Sequence, residues 1–553
     1  MNNKAFYWKT MIVILLFFTG LMVFAGGGGH QPATSAGGKP TLQIGIQSSL
    51  NVTDYKNNYL THYLENLHNI NLDFLMFPVD AADARTRFSL MAVSNDLPET
   101  VWGSFMTSLQ ILEYGESHAL LPLNKYFNDV SKTPYFNKIP QEDKAKMLLD
   151  TVAIDGNYYA FPMYTPETWG MTGYRMYINR SWLQKLGLAE PKTTNELRNV
   201  LIAFRDKDPN GNGRQDEIGV FGWAGGGGEN TAAALLNSFV YWNPSENIAL
   251  NSTGTTITTP FTEDGFRKGL QYLNGLFRDR LLDASMFTVD QAGFRAVLNT
   301  VPMVVGFSGI PSVGNFSDYE NNANYYAMAP LIEPLKGPDG ICFTPYSQYI
   351  SSPRSFITNK AKNVDLAVKV MDSFYEGDLS LICRYGEEGV NWTRDPAILN
   401  KYTNGFKELG ILPNVLLHRI QDIHASTGSQ YWGTSITPQY RDVTLGNSVT
   451  AVGGLVDLSK PYSYHDATNY QLYYPKHPQY TLPRLVYNTN DGITTSQIST
   501  DINTNIKQSV AEFVTNVRDI NNDAAWNTYL RELNNIGLQQ WVSIAQTTLN
   551  RQR

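Results

Sequence analysis

Cysteine is nearly absent from this chain: two residues in 553, Cys342 and Cys383. A scaffold stapled by disulfides is thereby excluded. The two could pair in an exported protein. Unpaired, they would behave as small hydrophobes, which suits their apolar surroundings. Charge is also sparse, at 17% of residues with a formal net charge of −7, and no basic cluster stands out. Nucleic acid is therefore not an expected partner. The eight histidines show no metal-ligand spacing such as H-E-x-x-H. Gly225 to Gly228 is a glycine run without the Lys-Ser/Thr that would make it a phosphate loop. No internal repeat is visible.

What is abundant is apolar and aromatic. Hydrophobic residues make up 42% of the chain and aromatics 12%, with 32 Tyr and 10 Trp. Such a chain can bury a large core and is not expected to be disordered. Its length fits two or three domains. Many Trp, Tyr, Asn and Thr in an acidic chain suit carbohydrate. Sugar rings offer apolar faces to aromatic planes, and their hydroxyl edges bond to amides and carboxylates.

The N-terminus reads as an address. Lys4 and Lys9 precede an apolar run of fifteen residues, Met11 to Ala25. That run is short for a membrane span. It ends in Val23-Phe24-Ala25, an A-x-A-like cleavage site. Cleavage after Ala25 and an exported product are expected; the alternative is an uncleaved anchor. No cysteine follows for lipid attachment. Residues 26–39 are rich in Gly, Ser and Ala and read as a flexible tether.

The segment Asp208-Pro-Asn-Gly-Asn-Gly-Arg-Gln-Asp-Glu217 crowds oxygen-bearing side chains onto a glycine-rich turn. Asp208, Asn210 and Asn212 take positions 1, 3 and 5 of a loop similar to a calcium-binding EF-hand loop. Gly213 stands at its sharp turn, and Arg214 would offer a backbone carbonyl. Calcium takes six to eight hard oxygen ligands, so such a loop suits it. Position 12 is Gly219 rather than Glu, and the acids come early as Asp216 and Glu217. A stand-alone structural calcium site is expected; the alternative is an Asx/Gly turn without metal.

Periodicity gives alternating strands and helices, hence an α/β chain. Strands are expected at 40–46, 72–77, 99–103, 174–178 and 301–306. Helices are expected at 59–67, 194–205, 262–280 and 366–375, with a mostly helical tail from 498 to 549.

Five motifs in order resemble the extracellular family 1 solute-binding proteins of bacterial ABC importers. They are Asp96-Leu-Pro-Glu-Thr-Val-Trp102, Asp155-Gly-Asn-Tyr-Tyr-Ala-Phe-Pro162, Tyr177-Ile-Asn-Arg-Ser-Trp-Leu-Gln-Lys-Leu-Gly-Leu188 with Pro191 to Leu197, Tyr385-Gly-Glu-Glu-Gly-Val-Asn-Trp392, and Trp526-Asn-Thr-Tyr-Leu with Gly537-Leu538. The likeness is to the LipO-like, alginate-oligosaccharide-binding branch. It implies a two-lobe periplasmic-binding-protein fold of type II-like topology. The lobes would be discontinuous in sequence, joined by hinge strands, and would close on a ligand without catalysis. The expected division is lobe 1 at 40–165, lobe 2 at 166–305 with the calcium loop 208–217, a return to lobe 1 at 306–375, and lobe 2 with the C-terminal helices at 376–553.

The implied partners are an oligosaccharide and membrane permease subunits, with the protein a periplasmic or otherwise exported monomer. The implied calcium ligands are Asp208, Asn210, Asn212, the Arg214 carbonyl, Asp216 and Glu217, outside the cleft. Trp102, Tyr164, Trp169, Trp223, Glu388, Trp392 and Trp432 are candidates to line the cleft. An exported glycoside hydrolase or lyase, or a binder of peptide or another solute on the same fold, stays open.

Overall fold

The computed structural model describes residues 38–166, 171–311, 315–317, 322–329, 331–346, 351–399, 418–419, 429–433, 436–442 and 472–553. The expected signal segment, most of the tether and Trp169 lie outside them. Among the described residues no helix is long and apolar enough to cross a membrane.

Nine strands make the two principal sheets: β1 (Thr41–Gln47), β2 (Asn71–Phe77), β3 (Thr100–Trp102), β4 (Ala160–Tyr164), β5 (Met176–Ile178), β6 (Ile218–Phe221), β7 (Val305–Gly309), β8 (Ser352–Ile357) and β9 (Gln439–Tyr440). Lobe 1 is a six-stranded sheet in the order β9-β4-β8-β3-β1-β2. β1 runs parallel to β2 and β3, β9 runs parallel to β4, and β8 alone runs antiparallel between β3 and β4. Lobe 2 is a three-stranded sheet in the order β5-β7-β6, with β6 parallel and β5 antiparallel to β7. The fold is thus mixed α/β with two lobes, each discontinuous in sequence.

Local chemistry explains the helices. Thr194–Asp206 is capped by the Thr193 side chain, which accepts from the Glu196 N–H, and buries Leu197, Val200, Leu201 and Phe204 on one face. Asp523–Ile536 ends at Gly537, whose left-handed φ of 115° lets its N–H return to Leu533 and Asn534. The tail is three helices, Thr489–Val514, Asp523–Ile536 and Leu538–Gln552, so it breaks at 515–522 as well as at Gly537.

Two of the expected boundaries move. Residues 377–385 and 436–440 were assigned to lobe 2. Leu379, Ile382, Cys383, Trp432 and Ile436 instead pack in the lobe 1 core, and β9 joins the lobe 1 sheet. Conversely β7 and Phe316, Tyr325, Met328 and Leu335 belong to the lobe 2 core, so the return to lobe 1 begins at β8 rather than at 306. The strand expected at 301–306 is also later, at Val305–Gly309. Cys342 and Cys383 are both free thiols.

Candidate functional site

The crossings between the lobes define where a cleft lies. β4 ends at Tyr164 in lobe 1 and the next strand, β5, is in lobe 2; β7 ends at Gly309 in lobe 2 and the next strand, β8, is in lobe 1; β9 ends at Tyr440 in lobe 1, and Tyr473 lies in the lobe 2 core. Every crossing joins one edge of the lobe 1 sheet to one edge of the lobe 2 sheet. The lobe 1 edge carries the carboxyl ends of β1, β3, β4 and β9, and the lobe 2 edge those of β6 and β7. Ligands of open α/β sheets bind outside such ends.

On the lobe 2 edge, β6 runs directly into the loop 222–229. The Trp223 N–H donates to the Glu229 carbonyl at 2.9 Å, and the Gly226 N–H to the Trp223 carbonyl at 3.0 Å. Glycine is required here: a Cβ on Gly225 would stand 2.6 Å from the Trp223 Nε1, and one on Gly226 would stand 2.7 Å from the Trp223 ring. The indole is cradled, half-buried and held in place. Tyr174, buried at the start of the same edge, has its hydroxyl pushed above its ordinary value by burial and by the nearby charge of Glu229.

The other expected cleft residues divide. Trp102, Trp392 and Trp432 are 0%, 1% and 2% exposed. Each indole N–H is satisfied internally: Trp102 donates to Thr100 Oγ1 at 3.1 Å, Trp392 to the Gly386 carbonyl at 2.6 Å, and Trp432 to Thr61 Oγ1 at 2.9 Å. Trp102 and Trp432 pack edge-on with ring centroids 5.9 Å apart. Trp102 and Trp432 sit in the core of lobe 1, where β8 pairs with β3 and Phe374 packs on both rings, while Trp392 packs in a small separate cluster with Leu381 and Tyr385; none of the three is a cleft wall. Glu388 is exposed and paired with Arg394 at 2.9 Å, in a turn closed onto Trp392. Tyr164 ends β4 on the lobe 1 edge and is buried, with its carbonyl accepting from the Arg441 N–H at 3.2 Å. Of the described candidates, Trp223 and Tyr164 stand on the facing edges. Glu229 and Tyr174 were not expected; their signal was a carboxylate closing the Gly225–Gly228 run.

The loop 208–217 enters the opposite, amino end of β6. Asp208 organises it: Oδ1 accepts from the N–H groups of Gly211 (2.9 Å) and Asn212 (3.2 Å), and Oδ2 from that of Gly213 (3.0 Å). Gly211 and Gly213 take left-handed φ of 76° and 75°. The Asn210 and Asn212 side chains both reach Asp216, at 2.9 and 3.1 Å from its Oδ1. Arg214 contributes its N–H to Asn212 Oδ1 at 2.8 Å, while its side chain is exposed.

Glu217 is the exception. Both of its carboxylate oxygens are buried without a hydrogen-bond partner. Burial first, then the charges of Asp208 and Asp216, push its pKa up, against the opposing pull of the backbone N–H groups of Glu217 and Asn210. Among the described residues no cluster of three His, Cys, Asp or Glu side chains is arranged around a metal point. The donors here are instead amides, carbonyls and carboxylates. Converging oxygens plus an orphaned carboxylate fit a hard cation.

A cavity of about 500 Å³ opens elsewhere, where the lobe 1 helix Ser108–Glu116 meets the helix Thr489–Val514. Glu246, Arg484 and Trp541 line it, and none of the cleft candidates does.

No family model matches the sequence. Among characterised proteins, the fructooligosaccharide ABC transporter substrate-binding protein FusA of Streptococcus pneumoniae is 25% identical over 521 residues, 92% of this chain and 90% of FusA. Over nearly its whole length the chain is similar to a substrate-binding protein of an ABC transporter. The fold agrees. FusA of S. pneumoniae in complex with kestose superposes with a TM-score of 0.74 at 22% identity, covering 92% of this chain and 99% of FusA. FusA has also been solved as an EF-hand mutant with fructo-nystose, with a TM-score of 0.73 at 21% identity and the same coverage. The alginate-binding protein AlgQ2, solved without calcium ion, gives a TM-score of 0.65 at 20% identity over 94% of this chain and all of AlgQ2.

Proposed function

We propose that this chain is the exported receptor of an ABC importer, capturing an oligosaccharide between its lobes and presenting it to a membrane permease. The observation that carries this reading is the glycine-cradled Trp223 at the lobe 2 strand ends, on the edge reached by every interlobe crossing. An aromatic plane held rigid at a hinge-closed cleft stacks on a sugar face with little entropy left to lose. Closure needs only that ligand bind the closed form better than the open one, and that difference supplies the free energy. The reading assigns binding rather than turnover, in a protein acting as a monomer.

Calcium completes lobe 2 on this reading. Asp208, Asn210, Asn212, the Arg214 carbonyl, Asp216 and Glu217 would hold it. Bound there, it supplies positive charge to three neighbouring carboxylates and pins the loop to β6. The four-residue β6 spans about 13 Å, which separates this loop from the Trp223 loop.

The test is a thermal-shift screen of residues 26–553 against short oligosaccharides in calcium. A ligand at about 100 times its Kd adds roughly 2.7 kcal/mol to the native state. A shift with one sugar class, and recovery of that sugar uncut, is expected. No shift with any sugar, or cleavage of the sugar, overturns the reading.

A further inference from the structure

Beside the cavity between the lobes, one side chain of lobe 2 bonds to lobe 1. The Arg484 guanidinium donates to Ser108 Oγ at 3.3 Å and to the Val152 carbonyl at 3.5 Å. Among the described residues these are the hydrogen bonds that join the two lobes, whereas none joins the Trp223 loop to lobe 1. The cavity alongside is lined by Leu109 and Leu112 from lobe 1 and by Ile248 and Leu482 from lobe 2. Apolar packing is incomplete there, so the polar contact carries more of the hold between these surfaces.

Each end of the contact is braced within its own lobe. On lobe 2, the Gln552 side chain, in the last turn of the C-terminal helix, donates to the Arg484 carbonyl at 2.9 Å and accepts from the Val486 N–H at 2.9 Å. On lobe 1, Ser108 opens a helix whose Thr107 and Gln110 form a reciprocal capping box. Val152 closes the helix Gln141–Thr151, and Asp150 in its last turn accepts from the Ser351 N–H at 2.8 Å, just before β8. Burial lowers the pKa of Arg484, against the opposing charge of Asp150. In such a setting hydrogen bonds from a charged donor count for more than they do at the surface.

The contact and the cleft edge stand at opposite ends of β4. Val152 leads through the turn 153–157 to the amino end of that strand, and the crossing to lobe 2 leaves from its carboxyl end. A rotation about the crossings that brings the carboxyl ends of the two sheets together draws the amino end of β4 away from lobe 2.

We infer that Arg484 is a latch on the open form: its bonds to Ser108 and Val152 hold the lobes apart at the cleft and break when the lobes close. The inference rests on the hinge-closing reading above and adds a residue that sets its resting equilibrium. A ligand that binds the closed form sees only the closed fraction, so its apparent affinity includes the cost of releasing the latch. Arg484 is thus a positioning residue, acting on the ligand only through that fraction.

The experiment reads lobe separation and sugar affinity together, in calcium. Dyes on Leu67→Cys in lobe 1 and Val517→Cys in lobe 2, both exposed positions, report single-molecule energy transfer in a Cys342→Ser background; Cys383 is fully buried. Parent, Arg484→Met and Arg484→Lys are compared without ligand and with fructo-, gluco- and galacto-oligosaccharides, the closed state being the one that saturating sugar makes dominant. Loss of two long hydrogen bonds from a charged donor should raise the closed fraction of the ligand-free protein, and tighten sugar binding, by about three- to tenfold. Arg484→Lys keeps the charge without the fork and should fall between. If either the closed fraction or the affinity stays unchanged in Arg484→Met, or if that variant binds sugar more weakly, the latch is overturned with the broader reading intact. Should Arg484→Met fail to fold, Gln552→Ala, which frees the Arg484 backbone, should move both readouts in the same direction by a smaller factor, and an unchanged closed fraction there overturns the latch equally. If no oligosaccharide binds any form, the hinge-closing reading itself falls, and the latch with it.

Discussion

Two loops bracket β6, and each ends on a glutamate, but of the two only Glu217 has both carboxylate oxygens buried without a hydrogen-bond partner. At the amino end, Glu217 is surrounded by Asp208, Asp216 and two asparagine side chains. At the carboxyl end, Glu229 sits beside an indole and four glycines. The same side chain thus stands in two different settings, and its neighbours decide what suits each. More carboxylates make the first site repel anything but a cation. An apolar plane makes the second suit a ligand with hydroxyls on one side and C–H groups on the other. On the proposed reading, one strand separates a site that stabilises the lobe from a site that reads the ligand.

The sharpest way to break this division is to remove the cation. Calcium at about 1,000 times its Kd should add about 4 kcal/mol to the native state, read as a rise in Tm that chelator reverses. Asp208→Ala should abolish the rise, since it loses both a ligand and the acceptor of three backbone N–H groups. Glu217→Gln should behave with opposite signs: more stable than the parent in chelator, where a buried charge is gone, and less responsive to calcium. Sugar affinity should stay within about twofold throughout, because the loops lie at opposite ends of the strand. A tenfold change in affinity on chelation would end the division of labour.

The turn at 208–217 was legible in the sequence because its residues are consecutive, so spacing alone places Asp208, Asn210, Asn212 and Gly213 together. β1, β2 and the helix Thr194–Asp206 were legible for the same reason, their patterns being local. The tryptophans were not. Whether a ring lines a cleft or a core depends on which strand arrives beside it. Trp102 is buried by β8 and Phe374, more than 250 residues further along the chain. The misplaced boundaries share that cause, since β9 reaches β4 across a similar gap and brings Trp432 with it. Glu229 was passed over because four glycines advertise freedom, whereas the structure uses three of them for close approach.

The next effect is smaller and falls on the other loop. Trp223→Ala should lower sugar affinity by about 10- to 100-fold, the loss of a stacked aromatic and the water it excludes. The calcium-induced rise in Tm should be unchanged. Trp432→Ala is the contrast: it should cost about 3–5 kcal/mol of stability, as expected for an emptied core site. If Trp223→Ala destabilises the sugar-free protein as much as Trp432→Ala does, Trp223 is a core ring and the cleft reading loses its anchor.

A third glutamate sharpens the comparison because it lies apart from both loops. Glu246 lines the cavity between the lobes, and burial pushes its pKa up to about 7, with only the Asn243 side chain in opposition. The unfolded value is 4.5. Between those values the folded state keeps a proton that the unfolded chain has released, so stability falls as pH rises from 4.5 to 7 and is level above that. The full shift corresponds to about 3 kcal/mol, and the solvent that still reaches the side chain brings the expected loss to about 1–2 kcal/mol. His68 is pushed the other way, down to about 4, and gains stability with pH over part of the same range, so the parent profile alone mixes the two. Glu246→Gln separates them, because His68 is common to both proteins and cancels in the difference. Urea unfolding of parent and variant should give nearly equal stabilities at pH 4.5 and a variant more stable by about 1–2 kcal/mol at pH 8. A constant difference across that range would mean that Glu246 ionises as freely in the fold as in the unfolded chain, and that burial alone does not make a glutamate costly here.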